Sequence, residues 1–411
     1  MQGMTAVDDA VAGFDLTDPA LLQNPYPALA ALREAAPVIW YEPSKQWLVT
    51  RWADVHGALR DRRLGRIFEH RYTFEEFGRP APDPRWAAFR EHERWNLLSL
   101  EPPDHTRIRS LISRAFTPRS IADMRPFMER TASGLLDALR DLASFDLLAD
   151  YAQPYSVAVI CELLGVPRSE TNRLLGWSHA IVKMYELTMT DDQRQAASTA
   201  AAEFMDFIRA HIMTTRSRPG DGLMSRLVSV EEEGKKLSDD EIVCTVIVLL
   251  NAGHEATVNT IGNGTNAMLH QRGQWQRLVT GEVSSATAVE ELLRFDGALQ
   301  LFERWVLDDG YEIAGQAIPV GSEIAMLFGS ANRDPRKFAR PDRLDIGRGD
   351  PTHIGFGGGI HFCIGAPLAR LVLDVSLAGL AHAFPNLERV HPARFHDAFV
   401  IRGLTELRVS G

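Results

Sequence analysis

One short segment, residues 353–365, holds the residue types in this chain that are best suited to chemistry. It reads His-Ile-Gly-Phe-Gly-Gly-Gly-Ile-His-Phe-Cys-Ile-Gly. Glycines let a backbone adopt positive φ and pass close to a flat group. Helical periodicity follows from Ile364 to Leu380, with Pro367 in the first turn. The pattern therefore predicts Cys363 at a helix N-terminus, where free N–H groups and the helix dipole stabilise a thiolate.

A thiolate beneath a loop without bulky side chains suits the iron of a haem. A dinucleotide-binding loop would instead need glycine at the position of Ile360. A zinc site would need further ligands at short spacing, and the other two cysteines, Cys161 and Cys244, are isolated. A buried structural cysteine beside a glycine turn is the simplest alternative.

The string from Phe356 to Gly365 resembles the haem-binding loop of the cytochrome P450 family of haem-thiolate monooxygenases. The resemblance implies that the protein binds haem b (iron protoporphyrin IX) and that Cys363 is the ligand of its iron. It also implies that Phe356, Gly357 and Gly365 shape the binding loop. The implied reaction inserts one oxygen atom from O₂ into an organic substrate.

His105 and Arg109 follow the prolines of a helix start and lie four residues apart, so they share one helix face. Inward-pointing cations of this kind pair with carboxylates such as the propionates of a haem. A solvated basic helix face is the ordinary alternative. The segment resembles the family's haem-facing helix, and Arg304 and His361 match further family positions. The resemblance thus implies that all four side chains anchor the propionates.

A long helix is predicted from the capping box Ser238-x-x-Glu241 to about His270. Its middle contains Ala252 and Gly253, and a glycine in a helix interior costs about 1 kcal/mol relative to alanine. The resemblance implies that these two small residues leave room for O₂.

The sequence departs from the family pattern at Ala256, where the family usually has an alcohol. Thr257 follows one place later, about 100° away from the face shared by Ala252 and Ala256. Its hydroxyl could bond back to the carbonyl of Gly253. Glu255 is therefore predicted to bring protons to the oxygen site. The missing hydroxyl could be replaced by Thr257, by water held by Glu255, or by a hydroxyl of the substrate.

The elements around these residues predict a mainly α protein with a small β-rich region (α+β). The resemblance implies a P450 fold with haem between the long distal helix and the proximal cysteine loop. We expect a flexible N-terminus over residues 1–23 and one domain over 24–411. Residues 64–94 show no sustained period and predict a lid over the substrate. A β-hairpin is expected over 38–41 and 47–50, and helices are expected from 121 to 223. Met184, Leu187 and Met189 are expected to form either a core stripe or part of the pocket lining. The resemblance also implies a structural ion pair between Glu291 and Arg294.

Composition excludes several classes of protein. A net charge of −10 argues against binding to nucleic acid or to an anionic membrane surface. Three cysteines in 411 residues suit a reducing compartment. We see no signal peptide, and the longest apolar stretch, Ile242 to Leu250, is too short to span a bilayer. We expect a cytoplasmic monomer.

The chain ends soon after the predicted haem region, so electrons are expected from a separate ferredoxin and its NAD(P)H-dependent reductase. An acidic ferredoxin needs a local basic patch on this acidic chain. Candidates for that patch are Arg114, Arg119, Arg343, Arg348 and Arg370.

The predicted substrate is small and moderately apolar. A peroxide-driven oxygenase or oxidative coupling enzyme would explain the missing alcohol at Ala256. A haem sensor would keep Cys363 but would not need Gly253 or Glu255.

Overall fold

The computed structural model describes residues 6–16, 18–186 and 189–411. Helices dominate this part of the chain, as the sequence predicts. The α-helices are α1 (Ala6–Ala12), α2 (Pro19–Gln23), α3 (Tyr26–Ala35), α4 (Trp52–Ala58), α5 (Ala87–Arg94), α6 (Asp104–Ala115), α7 (Pro118–Ala122), α8 (Arg125–Leu139), α9 (Gln153–Leu164), α10 (Thr171–Val182), α11 (Asp191–Ser217), α12 (Leu223–Ser229), α13 (Asp239–His270), α14 (Arg272–Val279), α15 (Ser285–Phe295), α16 (Phe328–Ala331) and α17 (Ala366–Ala383).

The strands are short and belong to small sheets. They are β1 (Val38–Tyr41), β2 (Gln46–Val49), β3 (Leu64–Gly65), β4 (Phe145–Asp146), β5 (Glu231–Glu232), β6 (Lys235–Lys236), β7 (Leu301–Val306), β8 (Glu312–Ile313), β9 (Gln316–Ala317), β10 (Glu323–Leu327), β11 (Glu388–Arg389), β12 (Arg394–Phe395), β13 (Leu404–Glu406) and β14 (Arg408–Ser410).

The largest sheet has the strand order β1-β2-β10-β7-β3. The predicted hairpin is confirmed: β1 and β2 pair antiparallel, with Trp40 opposite Trp47. β10 then adds to β2 in parallel and to β7 antiparallel, placing Ile324 opposite Arg304. This pairing fixes the sequence-distant Arg304 in β7, one strand away from the N-terminal hairpin.

Helix α13 runs through the middle of the helical region. Ser238 and Glu241 form the predicted capping box, and the helix ends at His270 as expected. Most of its side chains are buried, and it packs against α9, α10, α11, α15 and α17. A central helix of 32 residues is about 48 Å long, so its middle lies inside the protein.

The N-terminal segment, for which we expect flexibility over residues 1–23, contains two short helices in its described part. Residues 6–12 and 19–23 are helical, and the side chains of Phe14 and Leu21 are buried. Tyr41 donates a hydrogen bond to the carbonyl of Phe14, and Phe399 packs edge-on against the Phe14 ring. These N-terminal segments contain too few apolar residues for a helical periodicity to be visible in the sequence. Their apolar side chains nevertheless pack against the large sheet. Residues 1–5 and 17 lie outside the described part.

Two further predictions need adjustment. Residues 87–94, which the sequence predicts to be part of an irregular lid, form helix α5. The helix after the cysteine loop begins at Ala366 rather than Ile364, with Pro367 in its first turn.

Two helices, Asp239–His270 and Ala366–Ala383, are long and apolar enough to cross a membrane by composition. The apolar window of the first is 72% buried inside the protein, as expected of a core helix.

Candidate active site

The backbone of the cysteine loop depends on glycine at two positions. Gly357 and Gly359 have φ of 68° and 66°, in the region that side chains disfavour. A Cβ on Gly359 would also lie 2.1 Å from the carbonyl oxygen of Leu59. The loop closes on itself through a hydrogen bond from the Cys363 N–H to the carbonyl of Phe356, 3.0 Å long. The glycines therefore let the loop pass close to the segment after α4.

The thiol of Cys363 lies just before the first turn of α17. Burial raises its pKa, while hydrogen bonds from the N–H groups of Gly365 and Ala366 and the charge of Arg109 oppose this effect. A bound metal ion deprotonates a coordinating thiol. The N–H groups and the positive charge that stabilise a thiolate are therefore present at Cys363. A cation bound to the sulfur would complete the thiolate site.

A partly buried carboxylate supports both ends of this loop. Glu290 of α15 accepts hydrogen bonds from Arg370 of α17 and lies 3.1 Å from the Nε2 atom of His353. The guanidinium of Arg370 in turn lies over the ring of Phe356, 4.6 Å from its centre. Nδ1 of His353 accepts the N–H of Gly355. Glu290 and His353 were not predicted as site residues.

The four predicted propionate ligands come together beside the loop. Arg109 donates a hydrogen bond of 2.6 Å to the carbonyl of Phe362. The rings of His105 and His361 lie 4.5 Å apart. Arg304 is buried and, in the described residues, its side chain donates only to the carbonyl of Glu303.

Several polar atoms in this group have no hydrogen-bond partner among the described residues. They are both ring nitrogens of His105 and Nδ1 of His361. Burial and the nearby His361 lower the pKa of His105 to about 4, and burial and Arg66 lower that of Arg304 to about 9. Buried donors without acceptors are costly. The carboxylates of a haem would supply the missing acceptors, so these residues fit the group.

Two neighbours of this cluster escaped the sequence analysis. The carboxylate of Glu101 lies 3.4 Å from Nε2 of His361 and accepts the N–H of Arg66. The guanidinium of Arg66 donates to the carbonyls of Leu98 and Glu303. Together with Arg109 and Arg304, these charges leave an excess of two positive charges, which matches two propionates. Nothing in the spacing of Arg66 or Glu101 could have shown this.

The middle of α13 presents a face of small residues. Ala252 and Ala256 are exposed, whereas His254 and Thr257 are buried. This arrangement confirms that the two alanines share a face that Thr257 does not. A Cβ on Gly253 would lie 2.7 Å from Cδ1 of Ile160, so this glycine makes room for α9.

The hydroxyl of Thr257 does not bond back to Gly253, contrary to one expectation. Among the described residues it has no hydrogen-bond partner, and Thr260 instead donates to the carbonyl of Ala256. The side chain at position 256 itself therefore offers no hydroxyl to the open face.

Glu255 forms an ion pair that the sequence did not predict. Its Oε1 atom lies 3.0 Å from Nε2 of His179 in α10, a half-exposed side chain. Burial alone would raise the pKa of Glu255, but His179 outweighs this and lowers it. The same contact raises the pKa of His179. Glu255 is thus charged and held between two helices.

The predicted pair Glu291–Arg294 is confirmed as a buried, two-point ion pair with N–O distances of 2.7 and 2.9 Å. Arg294 also donates to the carbonyls of Asn332 and Pro341. The pair fixes the irregular segment before the cysteine loop onto α15.

The predicted basic patch is only partly available. Among residues 6–16, 18–186 and 189–411, the side chains of Arg119 and Arg343 are exposed and without an ion-pair partner. The other three arginines are held by carboxylates: Arg114 by Glu232, Arg348 by Glu291 and Arg370 by Glu290.

A cavity of about 1350 Å³ lies over the N-terminal half of α13 and is bounded in part by the predicted lid segment. Apolar, acidic and basic side chains share its lining, and the basic ones are Arg66, Arg90, Arg94 and Arg209. The apolar and acidic ones include Phe89, Trp95, Met184, Glu93, Glu303 and Glu323. Met184 thus contributes to a cavity rather than to a core stripe, and Leu187 lies outside the described residues. Burial and the neighbouring Glu303 raise the pKa of Glu323 to about 7.

Comparison with known proteins identifies the class. The family model of cytochrome P450 matches residues 71–286 and 285–394. A polyketide biosynthesis cytochrome P450 of Bacillus subtilis (strain 168), PksS, is 36% identical over 397 residues, which cover 94% of this chain and 96% of the relative. The 6-deoxyerythronolide B hydroxylase of Saccharopolyspora erythraea is 36% identical over 390 residues, covering 93% and 95%.

Comparison with solved structures points to the same family. The structure of PksS superposes with a TM-score of 0.87 at 34% identity, covering 97% of this chain and 99% of PksS. P450BioI, in complex with an acyl carrier protein ligated to hexadec-9Z-enoic acid, gives a TM-score of 0.88 at 30% identity, with 95% and 99% coverage. The chain belongs to the cytochrome P450 family, whose members bind haem b through a cysteine thiolate. It is an oxidoreductase of the monooxygenase type.

Proposed function

We propose that this protein inserts one oxygen atom from O₂ into a small organic substrate, with Cys363 as the ligand of the haem iron. The observation that carries the assignment is the group of unpartnered donors on His105 and His361, beside Arg109 and Arg304. These groups bind and orient the two propionates. The haem supplies the chemistry of O₂ activation, which a thiolate ligand assists by favouring O–O cleavage.

The residues of α13 have distinct tasks in this proposal. Ala252 and Ala256 keep the helix face open for O₂ and substrate because both side chains are small and exposed. Glu255 passes protons toward this face through water, while His179 holds its carboxylate. A hydroxyl on the substrate is the other group able to donate at Ala256.

The substrate has a moderately apolar body, since Phe89, Trp95 and Met184 line the large cavity. The carboxylates of Glu93, Glu303 and Glu323 favour a molecule that also offers hydrogen-bond donors. Electrons come from a separate ferredoxin with its NAD(P)H-dependent reductase. The protein works as a monomer in the cytoplasm, and the absence of disulfides among its described residues suits that reducing compartment.

A peroxide-driven oxygenase is the second candidate, because no hydroxyl lies at Ala256 to help deliver protons. Turnover with a surrogate ferredoxin and reductase, compared with turnover on peroxide alone, separates the two. Substrates are found by screening compounds for displacement of haem-bound water. The screen includes carrier-bound acyl chains, since P450BioI was solved with an acylated carrier protein. Product formed only with peroxide would overturn the first assignment.

A further inference from the structure

Three metal-ligating side chains meet where α10 crosses α13. His179 comes from α10, and His254 and Glu255 are neighbours in α13. One ligand atom from each lies within 4.8 Å of the others. Consecutive residues of a regular helix point about 100° apart, so the side chains of His254 and Glu255 leave an angular gap between them. His179 of α10 lies in that gap.

The ion pair of His179 with Glu255 does not account for the whole cluster. His254 is 1% exposed, and its Nδ1 atom has no hydrogen-bond partner among the described residues. Its ring lies 5.9 Å from that of His179. A buried imidazole nitrogen without a partner costs free energy unless some group binds it. A ligand that contacts His179 and Glu255 would also satisfy His254.

Two imidazoles and one carboxylate form a donor set that binds zinc in proteins, with a fourth position left for water. Metal–ligand distances of about 2.1 Å in a tetrahedral site separate the ligand atoms by roughly 3.4 Å. The pair His179–Glu255 is already at 3.0 Å, and the widest separation in the cluster is at most 4.8 Å. Closing the widest separation needs a contraction of at most about 1.4 Å, which side-chain rotation can supply. His179 is half-exposed, so an ion can enter from solvent.

We propose that His179, His254 and Glu255 form a site for a divalent transition-metal ion that joins α10 to α13. Zn²⁺ is the ion whose preferences best match this donor set. Such an ion holds α10 against α13 and occupies the carboxylate of Glu255. If the proposed role of Glu255 in proton delivery is right, the ion also inhibits turnover.

The test is zinc binding to the haem-loaded protein after treatment with a chelator. Zn²⁺ is titrated against a chromophoric competitor, and X-ray absorption at the zinc edge reports the ligands without interference from iron. We expect one ion per chain with two imidazoles and a carboxylate oxygen. His179→Ala and His254→Gln should each weaken binding more than about tenfold, because even the loss of a group that only hydrogen-bonds a ligand typically costs 10–100-fold in metal affinity. His382→Ala, an exposed histidine of α17, is the matched control.

The binding measurement stands apart from catalysis, so a failure of the proposed reaction would leave it unaffected. The carbon monoxide spectrum of each variant verifies that it is folded around haem. Absence of saturable zinc binding overturns the proposal. So does binding that survives both ligand substitutions, or an absorption spectrum without imidazole ligands, because each means that His179 and Glu255 form an ion pair only.

Discussion

Glu290 and Arg370 form a two-point ion pair, with N–O distances of 2.6 and 2.9 Å, that ties α15 to the helix after the cysteine loop. The same carboxylate lies 3.1 Å from His353, the first residue of the loop segment. One side chain therefore holds the segment at both ends. The position of Cys363 relative to α15 depends on this contact as well as on the glycines.

Glu290 should make stability depend on pH at the acidic end. Burial alone would raise its pKa, but the hydrogen bonds from Arg370 and His353 outweigh burial and lower it to about 2, from an ordinary 4.5. A carboxyl group with a lowered folded-state pKa stabilises the fold above pH 4.5, and this contribution disappears as the pH falls from 4.5 toward 2. The full contribution is roughly 3 kcal/mol.

We therefore expect Glu290→Gln to lower the free energy of unfolding at pH 7, with a smaller difference from the wild type at pH 3. Urea unfolding at the two pH values measures it. Glu388→Gln, which alters an exposed residue of β11, serves as the control and should change little at either pH. A difference that is constant with pH would contradict the assignment.

Cys363→His should abolish the strongly red-shifted Soret band that the carbon monoxide complex of a reduced thiolate haem shows. The reason is that imidazole is a neutral ligand and does not push electron density as a thiolate does. Cys161→Ala is the matched control, since Cys161 is buried in α9 and should leave the band unchanged. Persistence of the band in Cys363→His would exclude Cys363 as the ligand.

Gly359→Ala should displace the cysteine loop and reduce the amount of haem that the purified protein retains. Both the positive φ and the clash with Leu59 act against the new Cβ. Gly349→Ala separates the two effects, because Gly349 has φ of 64° but its Cβ would meet nothing closer than 3.9 Å. The Gly349→Ala variant should lose about 1 kcal/mol of stability and keep its haem. Equal haem loss in both variants would mean that backbone strain alone is responsible.

Coupling, the ratio of product formed to NAD(P)H consumed, should distinguish Glu255 from Thr257. Delivery of a proton by a positioned group is typically worth 10²–10⁴-fold. We expect Glu255→Ala to uncouple severely and to release peroxide. Thr257→Ala should have a mild effect, since this side chain is buried away from the face of Ala252 and Ala256. The opposite result would make Thr257 the relay residue.

Docking of a ferredoxin should depend on Arg119 and Arg343, the two exposed arginines of the predicted patch that have no ion-pair partner among the described residues. Replacing both arginines by glutamate should slow the reduction of the protein by ferredoxin at low salt and flatten the salt dependence of that rate. The reason is that the attraction between an acidic ferredoxin and the patch is electrostatic. Arg194→Glu in α11 is the control. Stopped-flow reduction at two ionic strengths measures the effect. Equal rates for the Arg119→Glu, Arg343→Glu double variant and the wild type would refute the patch.

The sequence determined the parts of this protein that local physics specifies. The capping box at Ser238, the helix to His270 and the hairpin at Val38–Tyr41 follow from periodicity and capping, and all three are confirmed. The Cys363 loop was recognisable because its glycines, histidine and cysteine are close in the chain. The displacement of Thr257 from the open face also followed from helix geometry alone.

Tertiary structure decided which distant side chains meet. His179 reaches Glu255, Glu101 reaches His361, and Glu290 reaches both ends of the cysteine loop, each across a separation that no spacing rule encodes. The helices at 6–12 and 19–23 likewise exist because Phe14 and Leu21 dock on other elements. Such contacts depend on how complete helices and sheets pack, and packing is a property of the whole chain rather than of any segment.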